Sequence, residues 1–239
     1  CSRTDIMEEK ETGKGASVMQ KEIVKAGRLL NNDGSLLQCG YAKRLLLNYN
    51  RAQITAAPWR IKEWDYYLIT NGRYAVALTA ADNAYMGLLS VSMLDFERNW
   101  YKTTSKMIPV PFGRLKLPST SAHGDFHYQD KWVKLSFLHK GDSRLLSCEW
   151  DRFDGGTSLS CNLDLYDEAE DSLVIATPFQ SDRKAFYYNQ KINNMKVKGE
   201  AAYGDHLYRF SPEEAVGTLD WGRGVWTYAN TWYWGSGSG

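Results

Sequence analysis

The sequence lacks the short motifs that mark nucleophilic and nucleotide-dependent enzymes. It contains no Gly-x-Ser-x-Gly elbow, no P-loop and no Gly-x-Gly-x-x-Gly string. The glycine pattern Gly222-Arg223-Gly224 is too short to form a phosphate-binding loop. The sequence therefore gives little support to nucleophilic catalysis or to nucleotide binding, and we expect no cofactor.

The chain also lacks an excess of either charge and any long apolar run. Its 29 Lys and Arg residues against 28 Asp and Glu residues give a formal net charge of +1, which argues against a nucleic-acid partner. No run approaches the ~20 apolar residues that span a bilayer. We therefore expect no integral membrane segment and a cytoplasmic location, although Cys1 leaves a processed lipoprotein open. Residues 1–18 are polar and aperiodic, and we expect a disordered leader there.

Cysteine and histidine are too few and too scattered to indicate a metal site. None of the four cysteines forms a Cys-x-x-Cys pair, and the four histidines form no tight cluster. His123 and His127 lie four residues apart beside Asp125, but their segment is typical of a loop and strand, not of a helix that would align them. We expect no metal, and we expect Cys148 and Cys161 to be buried core thiols.

Aromatic residues are abundant, at 13% of the chain, and they favour strands. From residue 60 onward, alternating residues are separated by turn signals such as Asn71-Gly72. The predicted strands are 60–69, 74–79, 85–96, 124–128, 132–139, 144–153, 158–165 and 172–177. This pattern is typical of an all-β meander barrel or a sandwich. The connection that includes Pro109, Pro111 and Pro118 is irregular, and we expect it to cover a barrel mouth.

The first long strand carries two carboxylates on one face. Glu63, Asp65 and Tyr67 share that face with Ile61 and Ile69. Burial would raise a carboxyl pKa and make the group a proton donor near neutral pH. The alternative is that both carboxylates pair with cross-strand Arg or Lys residues on a solvated face.

A second polar face follows Pro178. Tyr187, Asn189, Lys191 and Asn193 alternate with the residues between them, which is natural in a partly polar cavity. The change at Pro178 predicts one domain over 19–178 and the start of a second over 179–239.

The most unusual stretch is 219–235, which holds four of the nine tryptophans. Alternation from Val225 predicts a strand with one aromatic face, formed by Trp226, Tyr228, Asn230, Trp232 and Trp234. Before it, Asp220 and Arg223 flank Gly222 in a predicted turn. One interpretation is a buried Asp220–Arg223 pair that closes a barrel end. The other is a ligand cavity with charged groups at its mouth.

Five stretches carry a resemblance to a known family. They are 60–67, 81–87, 175–179, 186–191 and the Asp-Trp-Gly-Arg-Gly-Val-Trp string at 220–226. From about Met19 onward, the sequence closely resembles the bacterial family catalogued as domain of unknown function 2804. More distantly, that family is similar to the paired lipocalin-like barrels of hydroxyneurosporene synthase and tocopherol cyclase.

The resemblance implies a lipocalin-like antiparallel meander barrel, with one barrel and part of a second. Members of the family continue beyond the aromatic stretch. If this chain is truncated there, the predicted strand from Trp226 to Trp234 keeps an open edge that favours self-association.

Three functions remain open from the sequence. The first is binding of a small apolar or terpenoid-like molecule, with cofactor-free hydratase or cyclase chemistry driven by a carboxylic acid. The second is a non-catalytic carbohydrate- or envelope-associated module whose rings stack on sugars. The third is purely structural, with Asp82, Asp220 and Arg223 serving turns and barrel closure. The candidate acids are Glu63, Asp65 and Asp220, and the candidate ligand-binding residues are Trp64, Tyr67, Asp82, Tyr187, Asn189, Lys191, Trp221, Arg223, Trp226, Tyr228, Asn230, Trp232 and Trp234.

Overall fold

The computed structural model describes residues 21–166, 171–231 and 233–237. These residues form strands and two short 3-10 helices, Arg51–Gln53 and Pro58–Arg60, and they contain no α-helix. The strands are β1 (Gly27–Arg28), β2 (Gly40–Ala42), β3 (Leu47–Asn48), β4 (Ile61–Thr70), β5 (Tyr74–Asp82), β6 (Met86–Asp95), β7 (Trp100–Pro109), β8 (Phe126–Gln129), β9 (Val133–Lys140), β10 (Ser143–Asp154), β11 (Thr157–Tyr166), β12 (Leu173–Phe179), β13 (Asp182–Tyr203), β14 (His206–Phe210) and β15 (Val216–Val225).

Two antiparallel meanders form one large sheet. Strands β4 to β7 pair in sequence, as do β8 to β11, and β15 and β13 lie between the two groups in the order β7-β6-β5-β4-β15-β13-β11-β10-β9-β8. The sheet curls into a lipocalin-like half-barrel, which confirms the predicted fold class. Late strands therefore sit beside early ones in the middle of the sheet.

Alternation explains why the long strands bury one face. In β4 every second residue is buried, from Ile61 to Ile69, and β6 repeats the pattern. The buried side chains of both meanders pack into one core, in which Tyr67 of β4 meets Phe137 of β9 at 5.0 Å between ring centroids. We call the face of the sheet turned toward this core the inner face.

Several strand predictions need correction. Strand β7 is a full ten-residue strand that the sequence reading did not include. The predicted strand over 226–234 is wrong, because β15 ends at Val225. Pro178 lies inside β12, and β13 runs for 22 residues past a bulge near Asn194. The domain boundary predicted at residue 178 stays a prediction. Strands β13 and β15 follow that residue in the chain, but in the sheet they lie between β4 and β11, which precede it.

Other sequence predictions concern membranes and residues outside the described parts. Within the described residues, no helix has the length and apolar character needed to cross a membrane. The leader over 1–18 and Trp232 lie outside the described residues, so their predictions are unchanged.

Asp130 links the two ends of the curled sheet. Its Oδ1 accepts hydrogen bonds from the backbone N–H groups of Trp132 and Val133 at 2.8 and 2.9 Å, in the turn between β8 and β9. Its Oδ2 lies 2.6 Å from Nζ of Lys106 on β7. Burial raises the pKa of Asp130, but the Lys106 and backbone hydrogen bonds outweigh it and lower the pKa to about 2.

We expect Asp130→Asn to lower the free energy of unfolding by about 1–2 kcal/mol at pH 7, after allowing for its partial exposure. The folded-state pKa is depressed, so this contribution is present above the ordinary Asp pKa of about 4. It is lost as the pH falls through about 2. Urea denaturation across that range measures it. Asp142→Asn, in the exposed turn between β9 and β10, is the matched control, and an equal effect of both variants would contradict the assignment.

Candidate functional site

Most of the predicted site residues lie on β4, β13 and β15, on both faces of the sheet. Because side chains alternate along β4, β13 and β15, neighbours in sequence point to opposite sides of the sheet. Six lie on the inner face, and they are Glu63, Asp65, Tyr67, Asp82, Trp221 and Arg223. Seven lie on or against the opposite, outer face, and they are Trp64, Tyr187, Asn189, Lys191, Asp220, Trp226 and Trp234.

The centre of the inner face is a buried ion pair between Asp65 and Arg223. Nη2 of Arg223 lies 2.9 Å from Oδ1 of Asp65. The Arg223 side chain is 0% exposed and that of Asp65 is 7% exposed. The carboxylates of β4 therefore do not lie on a solvated face. The predicted Asp220–Arg223 pair is also wrong, because these two residues occupy opposite faces of β15.

Arg223 also holds the irregular connection between β7 and β8, residues 110–125, which we call the cover segment. Its Nε and Nη2 donate to the carbonyl oxygen of Pro118 at 3.2 and 2.7 Å. Its Nη1 donates to the carbonyl oxygens of Trp64 and Gly222 at 2.7 and 2.8 Å. Arg223 therefore bonds both the sheet and the segment that covers it, and its role in barrel closure stays a prediction.

Asp82 fixes the other end of the cover segment. Its Oδ2 accepts a hydrogen bond from the backbone N–H of Gly113 at 2.7 Å, and its Oδ1 accepts one from Ala84 at 3.0 Å. Asp82 is fully buried. These contacts support the structural role proposed for it in turns and barrel closure.

Glu63 has two partners that the sequence reading missed. The hydroxyl of Tyr49 donates to Oε1 of Glu63 at 2.7 Å, and Nη1 of Arg51 donates to Oε2 at 2.5 Å. Gly113 makes room for this cluster, because a Cβ there would lie 2.7 Å from Nε of Arg51. The only sequence signal was the polar run near residue 50, which follows an apolar stretch and precedes β4.

A cleft of about 620 Å³ opens beside this cluster, and we call it the Glu63 cleft. Its polar lining contains three cationic side chains, Arg28, Arg51 and Lys116, against one carboxylate, Glu63. The remaining lining residues are Asn48, Tyr49, Asn50, Gln53, Gly113, Leu117 and Ser119. The excess of cationic side chains in the lining is therefore suited to an anionic or strongly polar group.

Burial is the largest influence on the pKa values of Asp65 and Tyr67. It raises the pKa of Asp65, while the positive charge of Arg223 opposes that rise. Burial also raises the pKa of Tyr67, with the Asp65 charge adding to it. Trp221 packs between these groups and the Glu63 cluster, with its ring 4.4 Å from Cζ of Arg223 and 6.4 Å from the ring of Tyr49. The inner face thus combines the Asp65–Arg223 ion pair and the hydrogen-bonded Glu63 cluster on either side of one tryptophan.

The outer face has its own buried acid, Asp220. Its Oδ1 accepts hydrogen bonds from Nε1 of Trp64 at 3.1 Å and Nδ2 of Asn189 at 2.6 Å. Its Oδ2 accepts hydrogen bonds from Nζ of Lys191 and Nε1 of Trp234. Asp220 is only 5% exposed because these side chains cover it.

Aromatic rings surround Asp220. Trp64 stacks on Tyr187 at 5.9 Å, and Trp226 meets both rings edge-on at 5.8 and 6.0 Å. Trp226 thus packs on the outer face of the sheet and does not line an interior cavity.

The described residues from Trp226 onward, 226–231 and 233–237, form no strand or helix, and we call them the end segment. Tyr228 is 80% exposed and Asn230 is also exposed, while Trp234 folds back onto Asp220. The open aromatic edge strand expected at 226–234 is therefore absent from the described residues. Ligand binding by these residues and self-association stay predictions.

A sequence profile for a domain of unknown function, DUF2804, matches residues 20–239. The chain belongs to the DUF2804 family. This confirms the resemblance carried by the Asp-Trp-Gly-Arg-Gly-Val-Trp string, which the fold places in β15 and at the start of the end segment. No curated protein sequence matches the DUF2804 chain.

Two solved structures are similar to the DUF2804 chain. A protein described as AttH from Nitrosomonas europaea has 11% identity and a TM-score of 0.47, covering 76% of this chain and 57% of its own. Kievitone hydratase from Nectria haematococca has 15% identity and a TM-score of 0.37, covering 70% of this chain and 48% of its own. The DUF2804 chain therefore spans about half the length of these proteins, and neither likeness says what it binds.

Proposed function

We propose that this chain binds a small organic molecule in the Glu63 cleft, with an anionic or strongly polar head group beside Arg28, Arg51 and Lys116. The observation that carries the proposal is a nearly buried carboxylate at the edge of a cleft of about 620 Å³ with several cations in its lining. A cleft of this volume is in the size range of small-molecule sites.

The balance of charges in the lining of the Glu63 cleft supports a ligand with an anionic or strongly polar head group. Arg51 pairs with Glu63 and neutralises it at 2.5 Å. Lys116 and Arg28 then remain as positive charges in the lining that no cleft carboxylate balances. A carboxylate or similar anion would complete the balance through charge-assisted hydrogen bonds. The polar lining favours a ligand with such a head group over a terpenoid without polar groups. The apolar part of a ligand would have to lie elsewhere along the inner face.

Acid-catalysed hydration or cyclisation is the reaction that suits the inner face. Burial raises the pKa of Asp65, but Asp65 could donate a proton to a carbon–carbon double bond only in its protonated form, which breaks the ion pair with Arg223. Water, or another part of the ligand, would then add to the resulting cation, and the proton released would restore the acid. Asp65 is not part of the cleft lining, so this chemistry requires the cover segment near Pro118 to move, whereas binding in the cleft does not.

The test is native mass spectrometry of the purified protein with a panel of small mono- and dicarboxylates, and of any molecule that co-purifies. We expect at least one anion to bind, and Lys116→Ala to weaken it about tenfold or more, because a charged hydrogen bond is lost. Lys140→Ala removes an exposed lysine at the end of β9 and should have no effect.

Absence of any bound molecule or panel binding would overturn the proposal. So would equal weakening by Lys116→Ala and Lys140→Ala. Retention of a carbohydrate that Lys116→Ala does not release would favour the alternative, a carbohydrate- or envelope-associated module.

A further inference from the structure

The outer face carries a hydrogen-bonded group made of Asp220 and the sheet residues Trp64, Asn189 and Lys191, which we call the Asp220 cluster. Asp220 gathers four N–H donors, and three of them come from the sheet itself, on Trp64, Asn189 and Lys191. The fourth comes from Trp234 in the end segment. The sheet therefore supplies the acceptor, Asp220, and three of its four donors, and the end segment supplies the fourth donor.

Three contacts hold the Trp234 indole against the outer face of the sheet. Its indole N–H donates to Oδ2 of Asp220, its ring lies 5.3 Å from the ammonium of Lys191, and it meets the ring of Tyr66 edge-on at 6.0 Å. The residue is nevertheless 47% exposed, and Tyr233 before it is 97% exposed. The same segment is also tied to β13 by Ser236, whose hydroxyl donates to Oδ1 of Asn193 at 3.0 Å.

Lys191, which contacts the indole ring, also borders a cleft. The cleft has a volume of about 610 Å³, and its polar lining includes Lys43, Asp171 and Asn193. Next to Asp220, Oδ1 of Asn189 is buried, and no described residue donates a hydrogen bond to it. An unsatisfied buried acceptor is costly, and a second donor on a ligand would satisfy it.

We propose that the Asp220 cluster is a binding site for a planar heteroaromatic molecule with a ring N–H, of the indole class, which Trp234 occupies as a built-in substitute. In the bound state the ligand N–H donates to Asp220, and its ring lies between the ammonium of Lys191 and the edge of Tyr66. Polar substituents extend into the cleft beside Lys191. The site is separate from the Glu63 cleft, because it lies on the other face of the sheet.

The experiment measures indole binding by calorimetry to the full chain and to Trp234→Ala. Removing the built-in occupant should allow indole to bind with a dissociation constant of about 1 mM or tighter, the range expected for so small a ligand. Binding to the unchanged chain should be about tenfold weaker, because Trp234 competes at a high effective concentration. Tyr233→Ala removes an exposed ring from the same segment and should behave like the unchanged chain.

The ligand supplies a control that does not depend on folding. 1-Methylindole has nearly the same shape but no N–H, so we expect it to bind Trp234→Ala about tenfold more weakly than indole. Trp234→Ala combined with Lys191→Met should weaken indole similarly. The inference is overturned if Trp234→Ala binds no indole, or if it binds indole and 1-methylindole equally.

Discussion

Replacing Arg223 with methionine should lower the free energy of unfolding by about 3–5 kcal/mol at pH 7, the range measured when one partner of a buried ion pair is removed. The variant leaves Asp65 with an uncompensated buried charge. It also leaves the carbonyl oxygen of Pro118 without the two hydrogen bonds that Arg223 donates. Urea denaturation followed by far-UV circular dichroism measures the loss.

The pH dependence separates the charge effect from simple loss of packing. Burial raises the folded-state pKa of Asp65, and Arg223 opposes the rise, so the variant should raise that pKa further. A raised acid pKa means that stability falls as the pH rises from the ordinary Asp pKa of about 4 through the folded value. The deficit of Arg223→Met should therefore shrink as the pH is lowered toward 4.

A double variant provides the control for this prediction. Asp65→Asn removes the charge that Arg223→Met leaves unpaired, so the combined loss should be smaller than the sum of the two single losses. A deficit that is constant with pH, together with strictly additive losses, would mean that Arg223 contributes by packing and backbone contacts alone.

The sequence predicted the inner face of β4 but not its partners. Alternation alone placed Glu63, Asp65 and Tyr67 on one face, and the fold confirms it. The partner of Asp65 could not be predicted, because β15 enters the sheet beside β4 from more than 140 residues away. Proximity in sequence favoured Asp220 for Arg223, whereas strand geometry separates residues at an odd spacing onto opposite faces.

The aromatic stretch shows why alternation is not sufficient for a strand. The backbone N–H of Trp226 still donates to the carbonyl oxygen of Arg60 at 3.0 Å, and Nε of Arg60 donates to the carbonyl oxygen of Trp226 at 2.9 Å. Val225 pairs with Ile61, the first residue of β4, so the neighbouring strand ends there. The described residues beyond Trp226 have a strand-like pattern but no neighbouring strand with which to pair.

The glycines of this stretch do not form the predicted turn. Gly222 and Gly224 both lie inside β15. A Cβ on Gly224 would lie 2.4 Å from the carbonyl oxygen of Phe186. The two glycines keep the outer face of β15 bare, and the Trp64 indole lies over Gly222 with its N–H directed at Asp220.

Gly222→Ala should therefore lower the free energy of unfolding by about 2–3 kcal/mol, which combines overpacking with a lost hydrogen bond to a carboxylate. The added Cβ would lie 2.0 Å from Cζ2 of Trp64, so the indole must leave the strand. The displaced indole would lose its contact with Asp220 and its stacking on Tyr187. Chemical denaturation measures the loss, and near-UV circular dichroism should change because Trp64 and Trp226 no longer meet edge-on.

The matched control is Gly27→Ala, in the short strand β1, where a Cβ would meet no atom within 4 Å. It should leave stability within about 1 kcal/mol, since such a change mainly restricts the unfolded chain. Trp64→Ala should make Gly222→Ala nearly neutral in the double variant, because the clash is then absent. If Gly222→Ala remains equally costly without Trp64, the glycine serves the backbone of β15 and not the indole above it. In that case Asp220 is held by Asn189 and Lys191 without depending on the position of the indole.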